Sequence, residues 1–309
     1  MPQPKTEARH DHARGLDALP DQAALRLLLT AQREALETVS TAIPDIAEGA
    51  ALMEAAIRGG GRLIYAGAGS SALMGNADGM ELAGTFGIDP ARVLLCMAGG
   101  LPQNASMPGD TEDNLNQADT DAAQVRPGDV VIAITASGST PYAVQFARLS
   151  RAAGGRVIGI ANNRNAPLFD FADVAICLPT PPEMIAGSTR MGAGTAQKAA
   201  LNMMSTLMGI RLGHVHDGMM VNVRADNDKL RARAVAMVQD ISGAPADAAR
   251  AELEARDWNV KAAALGLAGV DDPVAQLDRH QGRLRAALPG LQDKDQTDNT
   301  QQTTMERTR

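Results

Sequence analysis

Two short segments of the sequence combine glycines with hydroxyl side chains directly after apolar runs. They are residues 67–71 (GAGSS) and residues 136–140 (ASGST), the second followed by Pro141. The first N–H groups of a helix lack partners inside it, and the helix dipole is positive there, so such turns favour an anion. Either segment could instead be only a tight turn before a capped helix, with Ser70 as the cap in the first segment. Because the pattern occurs twice, it favours binding of an anion such as phosphate.

A third segment of similar character, residues 183–208, carries Gly, Ser and Thr into a strongly apolar helix. Its simpler interpretation, a capped core helix, also holds in part. The residues predicted to bind the ligand in the three segments are Gly69, Ser70, Ser71, Ser137, Ser139, Thr140, Glu183, Ser188 and Thr189.

Two glutamates could supply acid and base chemistry. Glu81 lies in the apolar stretch MELAGTFG, where a carboxylate is costly unless it is paired or functional. Glu112 lies in the acidic segment PGDTEDN, where solvation is the ordinary explanation. For Glu81 a solvated helix position and a functional one stay equally open at this point. His214 and His216 form an HxH pair without a third ligand nearby, so no metal site is predicted.

The elements that must position these residues are short, continuous apolar strands separated by helical segments. This pattern predicts a doubly wound α/β fold, with a mostly parallel five-stranded sheet flanked by helices. Turns at the carboxyl ends of such strands line one crevice, where ligands of open α/β sheets bind. The runs that predict strands begin at Arg62, Arg92, Asp129, Gly154 and Asp173.

Hydrophobic spacing and composition divide the chain into four parts. Residues 1–44 are predicted to be a helical segment, 45–225 the α/β domain that carries the anion-binding turns, and 226–288 a small helical domain. The tail, residues 289–309, is rich in Gln, Thr and Asp, so we expect it to be disordered.

Composition excludes several classes of partner. The formal net charge of -7 and a pI near 5.3 argue against nucleic acid and against a membrane surface, and 2% aromatic residues do not support base stacking. Cys96 and Cys177 lie in apolar runs, as buried free thiols do. With no long apolar run and no signal-peptide pattern, we expect a cytoplasmic protein that acts on a small metabolite.

Several motifs together carry a family resemblance. In chain order they are GGRLIYAGAGSS, ELAGTFG, MAGG, TEDN, ASGSTPY, PPEMIAGSTR, AGTAQKAALNMMST and DNDKLRARA. In this order they resemble the bacterial N-acetylmuramic acid 6-phosphate etherases, whose core is a sugar isomerase (SIS) domain. The resemblance extends from Thr6 and Glu7 through the carboxyl-terminal region. It implies an SIS-type sheet with a small carboxyl-terminal helical (UBA-like) appendage.

The resemblance also implies a reaction. Members of this family cleave the D-lactyl ether of N-acetylmuramic acid 6-phosphate by elimination and hydration, in the recycling of cell-wall sugars. Glu81 and Glu112 stand at the positions of the family's two acid/base glutamates. We therefore expect a lyase without a cofactor, whose partner is a small sugar phosphate.

The spacing of Ser70 and Glu81 poses a geometric question. In a regular helix begun at Ser70, Glu81 lies about 16 Å further along, which is longer than a sugar phosphate. Either the helix breaks before Glu81, as Gly75, Gly79 and Gly84 would allow, or a second subunit shares the site. We predict a homodimer with sites near the subunit interface.

The chain departs from the family pattern at basic positions. Leu73 and Ser139 stand where the family has arginine, Gly192 where it has lysine, and residues 82–84 (LAG) replace CPP. Possible replacement cations are Arg190, Lys198 and Lys229. Two alternatives follow: a related enzyme for a sugar phosphate with fewer negative groups, or a sugar-phosphate sensor without turnover. Retention of both glutamates speaks against the sensor.

Overall fold

A computed structural model describes residues 5–105, 107 and 110–289 of the protein. The strands are β1 (Leu63–Gly67), β2 (Val93–Met97), β3 (Val130–Thr135), β4 (Arg156–Ala161) and β5 (Val174–Cys177). The helices are α1 (Asp21–Glu37), α2 (Ile43–Arg58), α3 (Gly69–Phe86), α4 (Leu115–Ala122), α5 (Pro141–Ala152), α6 (Gly192–Arg211), α7 (Asp228–Ser242), α8 (Ala246–Ala255), α9 (Val260–Leu267), α10 (Pro273–Arg279) and α11 (Leu284–Ala287).

The five strands form one sheet in the order β2-β1-β3-β4-β5, and the four pairings are all parallel. Every residue of β1 and β3 is buried, as expected for continuous apolar strands covered on both faces. The predicted five-stranded α/β fold is therefore confirmed. In this strand order the connections diverge between β1 and β3, so the crevice for a ligand lies at their carboxyl ends.

Each face of the sheet is covered by helices, as a doubly wound fold requires. On one face, Ile64 and Val131 pack in a common cluster with Tyr142 and Phe146 of α5. On the other face, a Cβ at Gly49 of α2 would lie 3.5 Å from the Ile158 side chain and 3.6 Å from Ile176. The absence of a side chain at Gly49 thus brings α2 close to β4 and β5.

Helix α3 is continuous from Gly69 to Phe86, although Gly75 and Gly79 lie inside it. Glycine weakens a helix interior, which made a break before Glu81 plausible from the sequence. In the structure these glycines face the sheet: a Cβ at Gly79 would lie 3.0 Å from the Tyr65 ring, and one at Gly75 would crowd Ile134. Close packing against the sheet therefore offsets the low helix propensity, and the helix does not break.

The chain divides into two compact units. The first contains residues up to Glu81 together with Asp89–Met208, and the second contains Leu82–Ile88 together with the chain from Gly209 onward. The predicted boundary at residue 225 lies within the second unit. The core of that unit is formed by apolar side chains of α7 to α11, among them Val238, Leu253, Leu265, Leu277 and Leu284.

Two further sequence-based predictions concern the chain ends and membrane insertion. The predicted disorder of residues 289–309 falls outside the described residues, apart from Pro289. In the part of the chain that the structure describes, no helix has an apolar stretch long enough to cross a bilayer.

Candidate active site

The two hydroxyl-rich turns lie side by side at the carboxyl edge of the sheet. The first joins β1 to α3 and the second joins β3 to α5. Because β1 and β3 are paired, with Gly67 opposite Ile134, the turns that follow them are neighbours. A Cβ at Gly67 would lie 2.8 Å from the Ile134 carbonyl oxygen, so this close approach needs glycine. The structure thus brings the first two predicted binding segments together at the crevice.

The second turn is organised by hydrogen bonds among its own hydroxyl groups. Thr135 Oγ1 lies 2.7 Å from Thr140 Oγ1 and 3.3 Å from Ser137 Oγ. The N–H of Gly138 donates to Thr135 Oγ1, and the N–H of Ser139 donates to Ser137 Oγ. These N–H groups are therefore satisfied inside the turn, which leaves hydroxyl groups to meet a ligand.

A loop after β4 holds the second turn from outside. Asn163 Nδ2 donates to the carbonyl oxygens of Ala136 and Ser137, at 3.2 and 3.1 Å. Gly138 has a φ of +80°, and a Cβ there would overlap the side chain of Ala166. The turn is fixed by contacts on both sides, which is what precise placement of hydroxyl groups requires.

Glu112 lies between the two turns. Its Oε1 is 2.8 Å from the position that a Cβ on Gly69 would occupy, and Gly69 has a φ of +54°. Its backbone carbonyl accepts the N–H of Tyr142, at the start of α5, at 3.0 Å. Gly69 therefore leaves room for an exposed carboxylate at the start of α3, and the backbone of Glu112 is tied to the start of α5.

Glu183 is buried and caps α6. Its two carboxylate oxygens accept the N–H groups of Gly192 and Ala193, both at 2.9 Å. A carboxylate at this end is stabilised by the unpaired N–H groups and by the helix dipole. A Cβ at Gly192 would lie 3.1 Å from Glu183 Oε2 and 3.1 Å from Ala35 Cβ, so the absent side chain makes room for this cap. Contact of Glu183 with a ligand stays a prediction.

The rest of the third segment lies near Thr6 and Glu7, close to the amino terminus. Ser188 and Thr189 are partly buried, and the Thr189 carbonyl accepts the N–H of Gly194 at 2.8 Å. Glu7 Oε2 is 3.5 Å from the position of a Cβ on Gly187, and Thr6 Oγ1 accepts from Asn163 Nδ2 at 3.5 Å. Thr6 and Glu7 therefore connect the third segment with the loop that supports the second turn.

Glu81 is not brought to the turns within one chain. It is exposed on α3, eleven residues beyond Ser70 along an unbroken helix. At 1.5 Å per residue this separation is about 16 Å. Of the two predicted acid/base residues, only Glu112 adjoins the turns.

A buried hydrogen-bond network anchors α3 one turn before Glu81. Asp78 accepts from the Tyr65 hydroxyl at 2.7 Å, and from Asn202 Nδ2 and Ser205 Oγ at 2.8 Å each. Burial raises the pKa of Asp78, while these three donors act in the opposite direction. The same burial, next to Asp78, raises the pKa of Tyr65. The network fixes α3 against β1 and α6, and so fixes the position of Glu81.

The positions where the family resemblance implies arginine, and two of the possible replacement cations, lie at the surface. Leu73 is 36% exposed on the first part of α3, and Ser139 is exposed, so neither departure from the family pattern is hidden in the core. Lys198 and Arg190 are exposed, and Lys198 donates to the Asn202 side chain. Among the described residues no group of three or more His, Cys, Asp and Glu side chains is arranged to hold a metal ion.

Sequence reasoning missed Thr135 and Asn163. Thr135 ends an otherwise apolar strand, and the residue is 2% exposed. A polar residue at the last position of a buried strand is the signal that could have identified it, because a buried hydroxyl needs a partner. Asn163 follows β4 at the same edge of the sheet and could have been found by the same reasoning.

Comparison with known proteins agrees with this architecture. A family model described as SIS domain matches residues 29–162. The chain is 39% identical over 290 residues to an N-acetylmuramic acid 6-phosphate etherase of Deinococcus radiodurans, covering 92% of this chain and 95% of the relative. The chain is also 40% identical over 289 residues to the etherase of Burkholderia lata, covering 93% of this chain and 96% of the relative. It is 42% identical over 267 residues to the etherase of Symbiobacterium thermophilum, covering 86% of this chain and 89% of the relative. The chain therefore belongs to the N-acetylmuramic acid 6-phosphate etherase family.

Proposed function

We propose that the protein is a carbon–oxygen lyase that converts N-acetylmuramic acid 6-phosphate into N-acetylglucosamine 6-phosphate and D-lactate. The observation that carries this proposal is the position of Glu112. Its carboxylate adjoins Gly69 in the first turn, and its carbonyl accepts from Tyr142 beside the second. An acid/base group next to two anion-binding turns suits chemistry on a sugar phosphate.

The chemistry needs two proton-transfer groups. In the open-chain aldehyde the proton on carbon 2 is acidic, so a carboxylate can remove it. The C3–O bond then breaks, and the departing lactate oxygen takes a proton from an acid. Water adds to carbon 3 of the resulting unsaturated aldehyde. We propose that Glu81 protonates the departing lactate and that Glu112 assists proton transfer at carbon 2.

We propose that the phosphate binds in the two turns at the carboxyl ends of β1 and β3. The position of these turns at the divergence of the sheet connections supports this assignment, because ligands of open α/β sheets bind there. The proposed phosphate ligands are Gly69, Ser70, Ser71, Ser137, Ser139 and Thr140. Glu183, Ser188 and Thr189 are proposed to complete the sugar site.

We propose that the active enzyme is a homodimer in which Glu81 of one subunit serves the turns of the other. The unbroken α3 supports this, because it keeps Glu81 about 16 Å from the turns of its own chain. Exposed apolar side chains give further support: Met80, beside Glu81, is 64% exposed, and Leu25 and Leu29 of α1 are 64% and 51% exposed. Apolar surface of this kind is typical of subunit interfaces.

We propose that the reaction takes place in the cytoplasm. Cys96 and Cys177 are free thiols in the structure, as is usual in a reducing compartment. A phosphorylated sugar is also retained inside a cell by its charge.

The exposed Leu73 and Ser139 favour a second candidate substrate class. The lactyl carboxylate and the phosphate together carry several negative charges, and each charge-assisted hydrogen bond contributes about 1.5–3 kcal/mol. Replacement of two family arginines removes such contacts. The second candidate is therefore the same lyase chemistry on a sugar phosphate with fewer negative groups.

Release of lactate tests the proposal. Purified protein is incubated with N-acetylmuramic acid 6-phosphate, and D-lactate and N-acetylglucosamine 6-phosphate are measured, with the Glu112→Gln variant as the matched control. We expect equal amounts of both products from the wild type and a rate about 10²–10⁴-fold lower from the variant. Absence of lactate from a folded wild-type protein that binds another sugar phosphate would contradict the etherase and favour the second candidate or a sensor.

A further inference from the structure

Thr135 lies beneath the second turn, outside the set of residues that the motifs identify. It is the last residue of β3 and is 2% exposed. Its hydroxyl contacts Thr140 Oγ1 at 2.7 Å and Ser137 Oγ at 3.3 Å, and it accepts the N–H of Gly138. Thr135 therefore contacts two of the hydroxyl groups proposed to bind phosphate, without being exposed to a ligand itself.

The hydrogen bonds around Ser137 make it a donor to Thr135. Ser137 Oγ accepts from the N–H and from the hydroxyl of Ser139, both at 3.2 Å. A hydroxyl oxygen has two lone pairs and one hydrogen, so these two donors fill its acceptor capacity. In the 3.3 Å contact with Thr135 Oγ1, Ser137 is therefore the donor.

Thr135 accepts from the N–H of Gly138 and from the hydroxyl of Ser137, which fills its two lone pairs and leaves its hydrogen for Thr140. Its one hydrogen has Thr140 Oγ1 as the nearer of its two hydroxyl partners, at 2.7 Å. When Thr135 donates to Thr140, the hydrogen of Thr140 is free to donate outward. In the reverse orientation Thr140 would donate its hydrogen to Thr135. It would then present only a lone pair to the ligand, and a lone pair repels an anion. A bound anion thus selects the orientation in which Thr135 donates.

We propose that Thr135 is a positioning residue that orients the hydroxyl of Thr140 as a donor to the phosphate of the substrate. The inference rests on the proposed phosphate site and deepens it. A cluster of this polarity suits a group that carries only acceptors, as a fully deprotonated phosphate ester does.

Two substitutions at Thr135 test this inference. Thr135→Val keeps the shape and removes the hydroxyl, whereas Thr135→Ser keeps the hydroxyl. We measure KM and kcat with N-acetylmuramic acid 6-phosphate, and Kd of N-acetylglucosamine 6-phosphate by calorimetry, at pH 8, where the phosphate is dianionic. For Thr135→Val we expect KM and Kd to rise about three- to tenfold with kcat changed less than about twofold, and wild-type values for Thr135→Ser.

The binding measurement separates this inference from the proposed function. Thr135-dependent affinity in a protein that releases no lactate would support the inference and contradict the etherase. Lactate release with the same Kd in Thr135→Val and Thr135→Ser would contradict the inference alone, as would a fall in kcat at unchanged Kd. If Thr135→Val does not fold, Thr135→Ala takes its place with the same expected rise in Kd, and an unchanged Kd there overturns the inference.

Discussion

The second turn and the far end of α3 place their functional groups in different ways. In the turn, hydroxyls and backbone N–H groups satisfy one another within six residues, and Asn163 holds the turn from outside. Glu81 instead projects from an exposed helix position about 16 Å from the turns, beside an exposed Met80. The turn is held within one chain, whereas we propose that Glu81 serves the turns of a second subunit. The difference separates binding, which one subunit can perform, from catalysis, which we propose needs two.

The largest expected effect separates these two regions by function. Glu81→Gln removes the acid without changing the size of the side chain, so lactate release should fall about 10²–10⁴-fold. The Kd of N-acetylglucosamine 6-phosphate should stay near that of the wild type, because the phosphate turns are intact. Calorimetry and the lactate assay on the same preparations check this. A parallel loss of affinity would mean that Glu81 contributes to sugar binding as well as to proton transfer.

Disruption of the Asp78 network should destabilise the support of Glu81. Asp78→Ala leaves the buried groups of Tyr65, Asn202 and Ser205 without their acceptor, so we expect a loss of about 3 kcal/mol in the free energy of unfolding. Urea denaturation measures this loss. Asp119→Ala, at an exposed position of α4, is the control and should change the free energy of unfolding much less. Equal effects of the two substitutions would contradict the anchoring role of Asp78.

The smallest expected effect concerns charge at the second turn. Ser139→Arg restores the family's cation at an exposed position. The KM for N-acetylmuramic acid 6-phosphate should fall about three- to tenfold, and it should depend more steeply on salt, because an exposed charge pair is screened. Ser139→Gln, long but neutral, is the control. If both variants behave alike, charge at this turn does not limit affinity.

The sequence predicted the parts of the molecule that depend on local pattern. The strands were readable because continuous apolar runs such as VVIAIT end in glycine and hydroxyl residues. The continuity of α3 could not be read from the sequence, because Gly75 and Gly79 have low helix propensity. Their close contacts with Ile134 and the Tyr65 ring show why glycine is needed there. The cap that Glu183 places on α6 is likewise a tertiary contact. Contacts beyond the local sequence pattern decided each of these points.

Subunit mixing tests the shared site most directly. We expect the Glu81→Ala protein and the Glu112→Ala protein each to be inactive alone. The two carry different affinity tags, and they are denatured together and refolded at equal concentration. Lactate release is then measured for the mixture and for heterodimers purified by both tags. In our account each site combines the turns and Glu112 of one subunit with Glu81 of the other, so one of the two sites is intact in each heterodimer. Because about half of the dimers in a random mixture are heterodimers, the mixture should regain about a quarter of wild-type activity. Verified heterodimers that release no lactate would show that each subunit must supply both glutamates to its own site, and would contradict this account.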